Sequence, residues 1–362
     1  MNLKIKIRFN IIIIDKMIIA EYIWLDVNSA VRSKTRVIHD KSDSDVKVSK
    51  LEAFPDWNYD GSSTGQATGK DSEIIIKPVS FYVSPFSKYY DQDTYLVLCD
   101  TYLPDGTPHE TNHRFTCKKV LDSYPEDMPM FGFEQEFFLV NKYGKVPVFE
   151  ETQTLNPQGQ YYCGVGEGNV FLRQPVEEAM YNCLKAGLRI TGMNAEVAPC
   201  QWELQVCNYG LDACDQLIML RYILGKTLEK YSLSYDLSPK PVKGDWNGSG
   251  CHTNFSTKNM REGRGKSASG YDFIIRCLDP LKSQHTVHMS QYGIDNNQRM
   301  TGEHETSSFD KFSYGLGNRG CSVRIPTQTM KDQQGYLEDR RPGANCDPYI
   351  VARLLMTTCA FK

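Results

Sequence analysis

The chain reads as α+β: a small strand-rich N-terminal part, then a larger part that mixes helices with an antiparallel-rich sheet. Three observations predict this. From Glu21 to about Cys99 the segments are short and β-like (EYIWLDV, KTRVIHD, EIIIKPV, TYLVLCD) and separated by turn-rich stretches. At 104–112, PDGTPHETN concentrates Pro, Gly, Asp and Asn and leads through a capping pattern into HRFTCKKVLDSY. Beyond it, helical periodicity in LDACDQLIMLRYILGKTLEKY and DPYIVARLLMTTC alternates with the strand-like FGFEQEFFLV, LRITGMNAEV and QWELQV. The expected organisation is an extension over 1–20, a small sheet domain over 21–107 and a larger domain over 108–362.

The first 20 residues carry basic positions and an isoleucine run that superficially resembles a signal sequence. Asp15 and Lys16 interrupt the run after four residues, short of the roughly 7–15 apolar residues of a signal core and far short of a membrane span. They read as an extension that packs on something or lacks order, and no other stretch approaches a membrane helix. Farther on, PVEEAMYNCLKAG places Pro175 in a first helical turn, Glu177 and Glu178 near the positive helix end, and Gly187 at the stop.

With 362 residues there is room for two buried cores. Basic and acidic residues balance at 41 against 44, so no basic field is available to hold nucleic acid. Twelve cysteines are scattered through apolar stretches without small-domain spacing, which points to reduced thiols in a cytoplasmic protein.

FGFEQEFFLV sets Glu134 and Glu136 on one face of a strand and Phe131, Phe133, Phe137 and Leu139 on the other. Two carboxylates about 7 Å apart repel, and burying either one unpaired costs several kcal/mol. Something cationic belongs between them. MNAEVAPCQWELQV adds Glu196 and Glu203, with Pro199 as the bend that turns both onto one surface; GDWNGSGCHTNFS adds His252 and GYLEDRRPGANCDP adds Glu338. Taken singly, each glutamate reads as a surface or salt-bridged residue and His252 as a satisfied core histidine. Jointly, five acids on or beside apolar strands and one histidine suit a pair of hard divalent cations, Mg2+ or Mn2+. Zinc fits poorly, because no cysteine or second histidine lies at ligand spacing.

The last third supplies Arg299, Arg319, Arg324, Arg340 and Arg341. Guanidinium forks bind carboxylates and phosphates bidentately, although Arg341 reads equally as an ordinary ion pair. Acids, two metals and arginines together describe phosphoryl transfer from a metal-bound nucleotide. GVGEGNV at 164–170 lacks the lysine and spacing of a phosphate loop.

With these residues in hand the chain resembles the glutamine synthetases of the short, eukaryotic type from about Tyr22 to Cys359. The motifs are DWNYDGSSTGQ, FGFEQE, NAEVAPCQWE, NGSGCHTNFS, TGEHETS, NRGCSVRIP and GYLEDRRPGANCDP, in the family's order and near its spacing. The resemblance implies a β-grasp-like N-terminal domain and a catalytic domain with a curved antiparallel sheet and flanking helices. It implies that Glu136, Glu196 and Glu203 hold one metal, while Glu134, His252 and Glu338 hold the other. Arg299, Arg319 and Arg340 would grip glutamate and the transferred phosphate, with Arg324 nearer the nucleotide. Asp245, Trp246 and Asn247 would line the glutamate pocket, and Asn254, Phe255, Ser256 and Tyr336 the ATP site, where Glu134 and Glu203 also face the nucleotide. Asp60 and Glu305 would bind ammonium and take its proton, and Glu305 would close the site against water. Asp60 would complete a neighbour's site, implying a homo-oligomer, typically two stacked pentamers, with ATP, L-glutamate and ammonia as substrates.

Three features depart from the family's pattern: the first 20 residues replace its opening helix, the chain stops soon after MTTC, and Pro280 falls where a helix is expected. Two other readings are weighed beside the ligase. A guanidino kinase shares an acid-and-arginine cage but needs neither Asp60 nor Glu305. An inactive scaffold of the same fold would have eroded ligands, and all six are present.

Overall fold

Period-two alternation makes the N-terminal part a five-stranded sheet: β1 (Lys16–Leu25), β2 (Val31–Asp40), β3 (Trp57–Asp60), β4 (Glu73–Val83) and β5 (Asp93–Tyr102), ordered β2-β1-β5-β4-β3. Only β1 and β5 run parallel. The computed structural model describes residues 16–40, 48–86, 93–150 and 155–360. Alternate residues of β1 face opposite ways. Ala20, Tyr22 and Trp24 enter a small core with Ile74, Ile76 and Val97, whereas Ile23, with Leu96 and Leu98, joins the large core of the rest of the chain. The expected extension over 1–20 is corrected from residue 16 on. Ile18 and Ala20 continue the inward set, so Lys16–Ala20 pair with β2 and, from Ile18, with β5. Residues 1–15 lie outside the described ones.

The second sheet begins after α1 (His113–Asp122), which Asn112 caps by accepting the Phe115 N–H at 3.1 Å. Its long central strand is β6 (Met130–Asn141). There follow α2 (Arg173–Lys185), β7 (Ile190–Ala195), β8 (Gln201–Tyr209), α3 (Gly210–Glu229), β9 (Leu233–Asp236) and β10 (Cys251–Ser256). The chain continues through α4 (Lys258–Glu262), α5 (Gly270–Ser283), α6 (His285–Met289), β11 (Tyr314–Leu316), β12 (Val323–Ile325), α7 (Thr327–Asp332), β13 (Leu337–Asp339) and α8 (Pro348–Cys359). The strand order is β11-β12-β13-β10-β6-β8-β7, with β9 beside the end of β6, and all pairs but β11/β12 are antiparallel. The α+β class, the N-terminal sheet and the curved antiparallel sheet with flanking helices are as the sequence predicts.

Helix boundaries differ slightly from expectation. Pro175 is the third residue of α2, and Gly187 ends it in a left-handed conformation at φ 87°. Pro280 is accommodated in the last turn of α5; the helix stops three residues on, and the Pro280 carbonyl accepts the Gln284 N–H at 2.9 Å. No helix among the described residues is long and apolar enough to cross a membrane.

The core face of β6 carries Phe131, Phe133, Phe137 and Leu139, all fully buried, with α3 packed over them. Gln135 shares that face and is fully buried too. Its carbonyl accepts two hydrogen bonds from the buried Arg221 guanidinium, at 2.9 and 2.7 Å, so the polar group is satisfied inside the core. A second buried pair fixes β13: Asp339 receives Arg341 Nε at 2.8 Å and Nη2 at 2.7 Å. Burial alone would raise the Asp339 carboxyl, but the Arg341 charge and hydrogen bonds outweigh it and hold the group below the usual carboxylate range. Arg341 is thus the ordinary ion pair that the sequence allowed, and it leaves the opposite face of β13 for Glu338. Replacing Arg341 with leucine strands a buried carboxylate and is expected to destabilise the fold by about 3–5 kcal/mol in denaturant unfolding; a change under about 1 kcal/mol would contradict this.

Candidate active site

Strand register assembles the site on one face of the large sheet. Glu134 lies opposite His252 on β10 and opposite Gln205 on β8, and Glu136 lies opposite Glu203. On the far side of β10, Asn254 faces Glu338, which in turn faces Arg324 on β12. Directly opposed side chains sit about 5 Å apart. Acids spaced by tens to hundreds of residues therefore become neighbours. Glu196 follows β7 in the turn containing Pro199, whose last residue, Cys200, takes a left-handed backbone at φ 62° before β8 begins. That turn brings Glu196 beside Glu203.

Ligand atoms of Glu136, Glu196 and Glu203 all come within 4.8 Å of one another, as do those of Glu134, Glu203 and His252. His252 Nδ1 is 3.6 Å from Glu134, 3.7 Å from Glu136 and 3.9 Å from Glu338. The second group adds Glu203 to the expected Glu134 and His252, while Glu338 stands beside it with one oxygen held by Arg324 and the other by Arg340. Burial, then mutual repulsion, pushes the Glu136, Glu196 and Glu203 carboxyls up to about 8. Burial and the surrounding arginines hold His252 well below its ordinary value, as a neutral imidazole. Among the described residues these three carboxylates and Glu134 accept hydrogen bonds from neutral donors: Gly250 N–H and a long contact from Gln201 on Glu136, Asn194 and Val197 N–H on Glu196, Gln205 on Glu203, Asn254 on Glu134. Converging acids that burial makes reluctant to ionise, plus one neutral imidazole, fit divalent cations with oxygen-rich coordination.

Arg299, Arg319, Arg324 and Arg340 line the same cavity of about 510 Å³ with the six candidate ligands, Asn247, Tyr336 and Glu305. Burial pushes Arg299 down to about 10; its Nη2 donates to the carbonyls of Arg340, Arg341 and Pro342, so it braces that segment. Arg324 Nε is buried without a partner among the described residues, a donor left for an anion. Arg319 is exposed to the cavity mouth.

Several expected residues stand elsewhere. Asp60 caps a short turn of the N-terminal sheet, accepting Ser62 N–H, Ser62 Oγ and Ser63 Oγ; those bonds hold its carboxyl below the usual range, and it is exposed and absent from this cavity. The Phe255 ring is fully buried on the core face, 5.4 Å from Phe131, so only its backbone can reach a ligand. Trp246 packs edge-on to Phe149, and Asp245 points to solvent with His304 Nε2 3.2 Å away. Ser256 instead lines a neighbouring, largely apolar cavity of about 410 Å³, shared with Glu134, Asn254 and Tyr336 and bordered by Met130, Gly132 and Cys207. Sequence reasoning missed Gln205, Tyr162, Gly248, Thr306 and His304 in the main cavity and Arg261 in the second. Gln205 carried a signal, standing two residues from Glu203 on the same strand face.

The sequence profile of the glutamine synthetase catalytic domain matches residues 110–359. A putative glutamine synthetase of Acanthamoeba polyphaga mimivirus is 46% identical over 341 residues, covering 94% of this chain and 93% of that protein. Glutamine synthetases of Kluyveromyces lactis and Saccharomyces cerevisiae are 45% and 44% identical over 343 residues, covering 94% of this chain and 88% and 89% of theirs.

Two outcomes test the geometry. A methyl on Gly250 would stand 2.9 Å from His252 Nε2 and 3.0 Å from Arg299 Nη1. Gly250→Ala is therefore expected to weaken divalent-cation binding about tenfold or more by calorimetry; unchanged affinity would contradict the packing. Without cations, the raised carboxyls bind protons that the unfolded chain has lost between their ordinary value of 4.5 and about 8, so stability falls as pH rises through that window. Added Mg2+ or Mn2+ should accordingly raise the melting temperature more at pH 8 than at pH 6, and equal gains would count against a cation site.

Proposed function

The chain belongs to the glutamine synthetase family, and from that premise we propose how its residues divide the work of an ATP-dependent glutamate–ammonia ligase. It joins ammonia to the γ-carboxylate of L-glutamate with cleavage of ATP. The observation that carries the division of labour is the acidic face: six ligand-type side chains from four separate stretches of sequence line one cavity together with four arginines. A guanidino kinase is set aside by the family, and an inactive scaffold would have no reason to keep this set intact.

Glu136, Glu196 and Glu203 would hold one Mg2+ or Mn2+, and Glu134, His252 and Glu338 the other, with Glu203 close enough to be shared. Cations held there would offset the carboxylate charge and supply positive charge to the nucleotide phosphates. The second cavity receives the base and ribose: its apolar walls suit a ring, and Asn254, Ser256 and Tyr336 stand where it meets the acids. Arg324 and Arg319 face the phosphates, and Arg340, braced by Glu338, faces the group in transit. Asn247 orients the glutamate, with Arg299 steadying the segment behind it.

A carboxylate is a poor acyl donor, so ATP first phosphorylates it to γ-glutamyl phosphate. Glu305, exposed toward the cavity, takes the proton that ammonium must lose and covers the intermediate from water. Asp60 is held ionised by its serine hydroxyls, which suits it to bind ammonium. Its exposed place outside this chain's cavity supports a site completed by a neighbour, in a homo-oligomer that we take to be a decamer of two pentamers. On this reading the N-terminal sheet domain, from residue 16 to about 107, serves the neighbour's site and the larger domain from 108 on serves the chain's own. No disulfide joins the cysteines of the described residues, which supports the cytosol.

Phosphate release from Mg-ATP is expected to need both glutamate and ammonium, with glutamine formed in equal amount; release indifferent to ammonium would overturn the ligase assignment. Glu338→Ala should lose phosphoryl transfer at least a hundredfold with the fold intact. Asp60→Ala should impair ammonia use while leaving some glutamate-dependent ATP cleavage, as water rather than ammonia takes the acyl phosphate. Mixing and reassembling these two impaired variants should restore glutamine formation, since some sites then draw Asp60 and Glu338 from different unsubstituted chains; no restoration would refute the shared site.

A further inference from the structure

The loop that carries Glu305 is tied down by contacts the catalytic scheme leaves unused. Thr301 and Ser308 pair at its base, and Thr306 Oγ1 donates to the Glu303 carbonyl at 2.7 Å. At its tip His304 and Glu305 both take left-handed backbone conformations, φ 52° and 59°, a conformation that non-glycine residues hold only when their surroundings impose it. The imposing contact lies on His304. Its Nδ1 is 2.8 Å from Gln158 Nε2, Gln158 Oε1 accepts the Asn247 backbone N–H at 2.7 Å, and its Nε2 is 3.2 Å from Asp245.

Hydrogen-bond logic fixes this chain in one arrangement. A backbone N–H can only donate, so Gln158 must present its oxygen to Asn247 and its amide nitrogen to His304. His304 Nδ1 must then accept, leaving Nε2–H to donate to Asp245. Gln158 itself is anchored, because the next residue, Gly159, donates to the Val197 carbonyl at 2.9 Å in the turn that carries Glu196. The Gln158 side chain thus joins the 245–247 segment to the Glu305 loop, and the backbone of the next residue ties it to the metal-side turn.

We propose that Gln158 and His304 are positioning residues that latch the Glu305 loop across the cavity and tie its closure to the segment at 245–247 that receives glutamate. The proposal rests on the ligase reading of the site. The latch protects the intermediate. Water that reaches γ-glutamyl phosphate adds its oxygen to the acyl carbon and the bond from that carbon to the phosphate oxygen breaks; glutamate and inorganic phosphate leave with a proton released to solvent. ATP is then consumed without glutamine.

The test is the ratio of phosphate released to glutamine formed, with glutamate and ammonium both present. In the unsubstituted protein it is expected to be one. His304→Ala and Gln158→Ala should each raise it roughly two- to tenfold, the shift in closed population expected when one hydrogen bond is lost, and the double variant should add little to either single one. His304→Asn should return the ratio toward one, since the asparagine oxygen can accept from Gln158 in place of Nδ1 and asparagine tolerates the left-handed backbone. A ratio that stays at one in both alanine variants overturns the latch; so does a folded His304→Ala protein without glutamate-dependent phosphate release, which would put His304 in the phosphoryl-transfer step. Hydrogen exchange over 301–308 decides the same question without turnover. Faster exchange in Gln158→Ala supports the latch, and unchanged exchange refutes it even if His304→Ala fails to fold. An unsubstituted protein that forms no glutamine while its loop exchange responds to Gln158→Ala would instead fail the ligase reading.

Discussion

Repulsion among carboxylates crowded on one sheet face is the constraint that the rest of the molecule answers. At about 5 Å and an effective dielectric of about 20, each such pair opposes itself by about 3 kcal/mol, more than the roughly 1 kcal/mol that a typical hydrogen bond returns. The fold tolerates this because the other face of the same strands is a dense aromatic core: Phe131, Phe133, Phe137 and Phe255 anchor β6 and β10 whatever happens above them. Register then leaves the acids no freedom to separate. The sheet presents a hole shaped for positive charge, and protons fill it only partly.

The arginines answer the same constraint at the rim. Arg324 and Arg340 neutralise Glu338 directly, while Arg299 spends its donors on backbone carbonyls and keeps its charge within the cavity's field. Beneath β13, Asp339 and Arg341 close a neutral pair of their own, so Glu338 and Asp339, adjacent in sequence, meet opposite environments. The two faces have separate electrostatics, and the strand's period of two is what separates them.

Much of this was legible in the sequence because it follows from local periodicity. The alternation in FGFEQEFFLV assigns Phe131 and Glu134 to opposite faces without any tertiary information, and the strands and helices of both parts emerge near their expected bounds. What stayed hidden depends on contacts distant in sequence. Gln135 breaks the apolar face of β6, and its contacts with Arg221, 86 residues away, and with the Ala344 carbonyl explain it. Phe255 lies in a stretch that reads as ligand-facing, but β10's register turns its ring into the core. The strand running on from Lys16 was masked by an isoleucine run that ends at a charged pair. His304 and Gln158 meet across 146 residues, and neither carries a pattern of its own.

The account stands or falls on whether the acidic face is a cation site. The most direct measurement is equilibrium titration of the chelator-stripped protein with Mn2+ at pH 7.5, counting bound ions and the protons they displace. Two ions per chain, with protons released as they bind and at least one ion lost in Glu136→Gln, is the predicted result. No saturable binding, or binding that displaces no protons and ignores Glu136, would mean that the carboxylates are held apart by the protein alone.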